Sequence, residues 1–155
     1  MMNPARAQLY LDTLLREMDA LQQALTFSDE KIQTMPLVLR GVKYSLIVIA
    51  EVIAETCQHL LAKEHKTAVS GFSEALAKAA SFGILSDELY RRLAPFLRFR
   101  NMLVHGYWKV DDALFLRNLR SGIGDFAAFA ECIKQHLVAV PPANEPEPSE
   151  PGIWT

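Results

Sequence analysis

Cysteine is scarce in this chain of 155 residues: Cys57 and Cys132 are the only two, too few and too far apart for a disulfide framework. The N-terminus lacks the basic-then-apolar pattern of a secretory signal. Together these two absences make a reducing cytoplasm the expected location. No apolar run approaches the ~20 residues that a bilayer span needs. The longest, Ser45 to Ala54, is interrupted by Glu51, so no membrane segment is expected. Strand-period alternation, a phosphate-cradling Gly-rich loop after a strand and a G-x-S-x-G elbow are all missing, which argues against P-loop nucleotide hydrolysis and serine hydrolysis. Cys57-Gln58-His59 with His65 has no zinc spacing, and Cys132 with His136 lacks further ligands nearby. Neither a metal nor a cofactor is expected. An excess of one charge is lacking too: the formal net charge of -2 gives no global pull toward nucleic acid or membrane.

What is present is apolar and helix-periodic. Half of the residues (50%) are hydrophobic, enough for one continuous core in a chain of this size. Leu11, Leu14, Leu15, Met18, Leu21 and Leu25 recur at spacings of three and four, which predicts a first helix from Pro4 to Phe27. Ser28-Asp29-Glu30 can cap a short turn, and Pro36 suits the start of a long second helix, Leu37 to Ala62, apolar on more than one side and therefore central. A helix of about ten residues follows from Phe72, ended by Phe82-Gly83. Ser86 caps the next, in which Pro95 is expected to cause a kink or a division, with Gly106 as the stop. After an Asp111-Asp112 cap, a last long helix runs through Leu137, weakened locally by Gly122 and Gly124. The expected fold is an all-α up-down bundle of four or five helices over residues 1–140. Residues 141–155 hold five of the eight prolines together with Glu145, Glu147 and Glu150, and are expected to form a disordered tail.

Chemistry concentrates in Arg98-Phe99-Arg100-Asn101-Met102-Leu103-Val104-His105-Gly106-Tyr107-Trp108. This segment joins permanently charged guanidiniums, an imidazole that titrates near neutrality and a phenol. Seven basic residues (Arg91, Arg92, Arg98, Arg100, Lys109, Arg117 and Arg120) surround it against Asp111 and Asp112, a local basic zone that could equally be a solvated helical face. On a helix, Asn101 and His105 share a face and Arg98 falls nearly on the same line, whereas Arg100 lies about 140° around from His105. Either the helix unwinds near Gly106, or the site is assembled from two copies across a symmetric interface. RNA cleavage without a metal needs a base for the 2′-hydroxyl, an acid for the leaving oxygen and positive charge on the phosphorane. In that scheme His105 handles protons, Arg100 stabilises transition-state charge, Asn101 orients substrate or His105, and Arg98 holds phosphate. The alternatives are an imidazole interacting with the helix dipole, an Arg100 serving as an ion-pair donor, and Tyr107 with Trp108 closing the core.

The run Arg100 to Tyr107, R-N-x-L-V-H-x-Y, with Trp108 and Val110-Asp111, resembles the signature of HEPN-domain proteins of the HepT-like toxin group. The likeness extends upstream through Gly71-Phe72, Ile84-Leu85 and Leu93-Ala94-Pro95-Phe96. The resemblance implies a homodimeric, metal-independent endoribonuclease, the toxin of a toxin–antitoxin pair whose partner is a minimal nucleotidyltransferase. It further implies that Arg100 and His105 are cleavage residues contributed by both protomers, and that Tyr107 accepts AMP from the antitoxin. An adenylyl group there would add bulk and negative charge beside Arg100. Both Arg100 and Arg98 satisfy the family's R-x4-6-H spacing, so the spacing leaves open which guanidinium acts. Two further readings stay open: a non-catalytic HEPN module that binds a nucleotide or its partner, and a structural interaction protein.

Overall fold

Local chemistry marks several of the helix ends: Ser28 and Ser86 cap two starts, and Gly83 and Gly106 follow two ends. In the computed structural model, which describes residues 4–138 and only the backbone of Tyr107, Leu137 and Val138, helix α1 spans Pro4–Ala24 and ends three residues before the expected Phe27. The reason is local: Thr26 N–H and Phe27 N–H turn back to the carbonyls of Gln23 and Ala24, both at 3.2 Å, a tightening of the last turn that closes the helix. Ser28 then caps α2, Asp29–Gln33, its hydroxyl accepting from Lys31 N–H at 3.1 Å. Helix α3, Pro36–His65, starts on its proline and runs three residues past Ala62 to a left-handed Lys66 (φ 51°).

Helix α4, Phe72–Ser81, follows Gly71, whose φ of 80° lies where only glycine sits without strain. Gly83 (φ 76°) ends it, and Ile84 N–H reaches back to the Ala79 carbonyl at 2.9 Å. Ser86 caps α5, Asp87–His105, with Leu89 N–H donating to its hydroxyl at 3.1 Å. Pro95 does not divide this helix. A proline lacks one N–H, here the donor for the Arg91 carbonyl, and packing of Leu89, Leu93 and Leu97 in the core holds the helix together across that gap. A single 3-10 turn, Tyr107–Lys109, leads to α6, Asp112–Val138, which Gly122 and Gly124 do not interrupt. Asp111 accepts from Leu114 N–H at 3.1 Å at its start. The described residues thus form an all-α bundle of six helices. The sixth, beyond the expected four or five, is the short α2. The tail, residues 141–155, lies outside the described residues.

α3 packs against all five other helices, which is why its sequence is apolar on more than one side. Ile49, Ile53, Leu60 and Leu61 are fully covered or nearly so, and the buried Thr56 hydroxyl is satisfied by the Val52 carbonyl at 2.6 Å. At one end of the bundle Arg120 of α6 closes the corner between α1 and α2. Its Nε meets Asp29 Oδ1 at 2.6 Å, and its Nη atoms donate to the Leu25 and Phe27 carbonyls at 3.1 and 2.7 Å. Those carbonyls, at and just beyond the end of α1, would otherwise lack a partner.

This packing predicts a contrast along α3. Ile53→Ala, at 0% exposure, should lower unfolding free energy by about 2–5 kcal/mol in urea denaturation. Leu37→Ala, at 80% exposure, should stay within about 0.5 kcal/mol of the parent.

Candidate active site

The motif sits on the last turns of α5, and its residues divide between two faces. Arg98, Asn101, Met102 and His105 are exposed. Arg98 and His105 are seven positions apart, about 20° short of two full turns, so they lie on one line along the helix. His105 is the last residue of α5, and the terminus is closed by Gly106 N–H donating to the Met102 carbonyl at 2.9 Å. The imidazole has no hydrogen-bond partner among the described residues. Arg98 likewise has no ionic partner among them.

Arg100 points elsewhere. Only 18% of its side chain is exposed, and Nη2 donates to Glu51 Oε1 of α3 at 2.8 Å. Nη1 donates to Asn101 Oδ1 at 3.2 Å. The guanidinium lies over the Phe72 ring, 4.9 Å from its centroid, a cation–π contact. Its Nε is buried without a hydrogen-bond partner. The Gly71 backbone sets Phe72 as the first residue of α4, directly beneath the guanidinium. Asn101, expected to orient substrate or His105, accepts this hydrogen bond from Arg100. Tyr107 lies in the 3-10 turn, two residues beyond His105.

The basic zone is less open than the sequence implied. Arg92 pairs with Glu88 and Asp125, Arg100 with Glu51, and Arg120 with Asp29. That leaves Arg91, Arg98, Lys109 and Arg117 without an ionic partner among the described residues. Beside the motif, α5 and α6 bound an apolar cavity of about 590 Å³. Pro95, Phe96, Phe99 and Met102 line one wall, and Phe115, Leu119 and Phe126 the other. Ring contacts of 4.8 Å (Phe96 with Phe126) and 5.7 Å (Phe99 with Phe115) join the two helices. Met102 and Leu114 of the cavity lining are partly exposed, as is Trp108, three residues beyond His105.

Cys132 and His136 have partners within the bundle. Cys132 donates to the Ile84 carbonyl at 3.0 Å, and His136 Nδ1 lies 3.1 Å from Glu64 Oε1. Burial pushes the Cys57 and Cys132 thiols upward, which keeps both protonated and poorly nucleophilic at neutral pH. Sequence reasoning gave no role to Glu51 or to Phe72's ring. The available signal for Glu51 was its position as the lone charge in an otherwise apolar stretch.

The described residues form an all-helical bundle with Arg98, Asn101 and His105 on one face at the end of α5. The chain belongs to the Ribonuclease HepT-like family, whose model matches residues 14–133. A search of curated protein sequences finds no match. Among solved structures, the fold is similar to a tri-AMPylated Shewanella oneidensis HEPN toxin in complex with its MNT antitoxin, at TM-score 0.77 and 16% identity over 84% of this chain and 97% of that one. It is also similar to a toxin–antitoxin bound to AMP-PNP, at TM-score 0.74 and 16% identity over 83% and 97%. At this identity the likeness establishes the common fold.

Proposed function

We propose that this protein is a metal-independent endoribonuclease, the toxin of a toxin–antitoxin pair, restrained by AMP transfer from a nucleotidyltransferase antitoxin to Tyr107. The observation that carries the reading is the exposed imidazole of His105, without a hydrogen-bond partner among the described residues, on the same helix face as Asn101 and Arg98, with Arg100 on the adjoining face, in a chain of the Ribonuclease HepT-like family. In such a reaction a base takes the proton of the 2′-hydroxyl and the 2′-oxygen bonds to phosphorus. The bond to the 5′-oxygen breaks, and that oxygen takes up a proton, leaving a 2′,3′-cyclic phosphate and a 5′-hydroxyl. His105 moves these protons. Arg100 stabilises the phosphorane, and Arg98 holds the neighbouring phosphate.

One imidazole cannot be base and acid at the same instant, so the reading includes a homodimer in which two copies of His105 face one phosphodiester. The apolar surface of Met102, Trp108 and Leu114 beside the motif is the face a second copy would cover. The nucleotidyltransferase enters through the complexes formed by the structural neighbours and the AMP groups one of them carries. A phosphate on Tyr107 would place negative charge two residues from His105 and oppose an incoming RNA.

A second reading, a HEPN module that binds nucleotide or its partner without cleaving, draws on the pairing of Arg100 with Glu51, which neutralises much of one cation of the motif.

Three outcomes test the proposal. In EDTA, unmodified wild-type protein should cleave a mixed RNA pool while His105→Ala at equal concentration loses at least about 10²-fold in rate and retains RNA binding. Failure of the wild type to cleave, with dimer and nucleotide binding intact, moves the assignment to the binding module. Met102→Asp should shift the protein toward monomer in sedimentation velocity and abolish cleavage with Arg100 and His105 untouched; a fully active monomer contradicts the composite site. Incubation with the partner nucleotidyltransferase and ATP should add AMP mass at Tyr107 in peptide mass spectrometry, and an undiminished adduct in Tyr107→Phe removes that assignment.

A further inference from the structure

We propose that Glu51 of α3 is a positioning residue for the cleavage site, holding the Arg100 guanidinium in a single orientation before RNA arrives. The proposal rests on the ribonuclease reading above and concerns a residue outside the motif, on a different helix.

Glu51 interrupts the apolar run Ser45 to Ala54, flanked by Ala50, Val52 and Ile53, all buried in the core. The Glu51 side chain lies at the edge of that core, 44% exposed, and Arg100 Nη2 at 2.8 Å is its partner. The guanidinium is gripped from three helices. Glu51 of α3 takes Nη2, Phe72 of α4 underlies the plane, and Asn101 of α5 takes Nη1. An arginine side chain is long and rotamer-rich, and its ordering opposes any arrangement that needs it in one place. Here that ordering is achieved by folding, not by substrate binding, which is the arrangement that favours a transition state over a ground state.

The donors that remain give the clamp its use. A guanidinium carries five N–H groups. Glu51 and Asn101 engage one on each Nη, so each Nη keeps a second N–H. Among the described residues no second carboxylate occupies them. Glu51 also cancels the long-range charge of Arg100, and at 44% side-chain exposure its own carboxylate is close enough to solvent to discourage nonproductive phosphate contacts. The pair therefore contributes directed donors to the reacting phosphate and little general attraction for RNA. General attraction falls to Arg98 and the other unpaired cations.

This division predicts a split in kinetic constants that a purely structural ion pair would not produce. With RNA cleavage followed at several substrate concentrations, Glu51→Ala should lower kcat on the order of 10²-fold while KM stays the same or falls, because a negative charge has been removed near the phosphate path. Glu51→Gln keeps an oxygen for Nη2 and should recover part of kcat. Thermal unfolding of both variants identifies loss of fold, and Glu51→Gln is the variant read if Glu51→Ala does not fold. In parallel, the Arg100 guanidinium resonances in 15N–1H spectra should report one restrained side chain in the wild type and free rotation in Glu51→Ala. Wild-type kcat in a folded Glu51→Ala, or a raised KM with unchanged kcat, overturns the proposal. If the wild type cleaves no RNA, the ribonuclease reading is what fails, and unchanged guanidinium spectra in Glu51→Ala would separately overturn the clamp.

Discussion

The burial of α3 is the constraint from which the rest of the structure follows. A 30-residue helix that contacts every other helix in the described chain buries much of its surface, so the polar groups that face its neighbours need partners, while Arg40, Tyr44 and Glu55 face solvent. Thr56 is matched by its own helix, through the Val52 carbonyl. Glu51 is matched by Arg100 of α5, and that pairing couples the most buried helix of the bundle to the one that carries the motif. Core and site thus share a contact, and the position of Arg100 is decided by what α3 requires as well as by the turn of α5.

The two faces of α5 are set by the same logic. Leu89, Leu93, Leu97 and Leu103 turn inward, which fixes the rotation of the helix and leaves Arg98, Asn101 and His105 on the solvent side. His105 comes at the last position, where the chain leaves the helix through Gly106. The imidazole there is exposed and has no hydrogen-bond partner among the described residues. Exposed apolar side chains, Met102 and Trp108, lie within three residues of that helix end.

Much of the fold was legible because it depends on local signals. Ser28, Ser86, Asp111 and Pro36 mark helix starts that the structure confirms. Gly83 and Gly106 mark ends, and the leucine spacings give the buried stripes. The misses have local causes too. The last residues expected in α1 form a tightened turn tied to Arg120, and Pro95 leaves α5 continuous because core packing outweighs one missing hydrogen bond. The motif itself was visible as a string, and its face assignments for Arg98, Asn101 and His105 follow from helical rotation alone.

The sequence by itself determined which segments are helices, which face of each is apolar, and where an arginine, an asparagine and a histidine fall along one helix. It did so because helical period and end caps act over a few residues. Only the tertiary structure decided what each of those groups meets: that Arg100 is clamped by Glu51 and Phe72, that Asn101 accepts a hydrogen bond from Arg100, and that several cations of the basic zone are already paired. Glu51 and Arg100 are distant in the chain. Their contact depends on how α3 and α5 pack and rotate against each other, which no local pattern in either helix encodes.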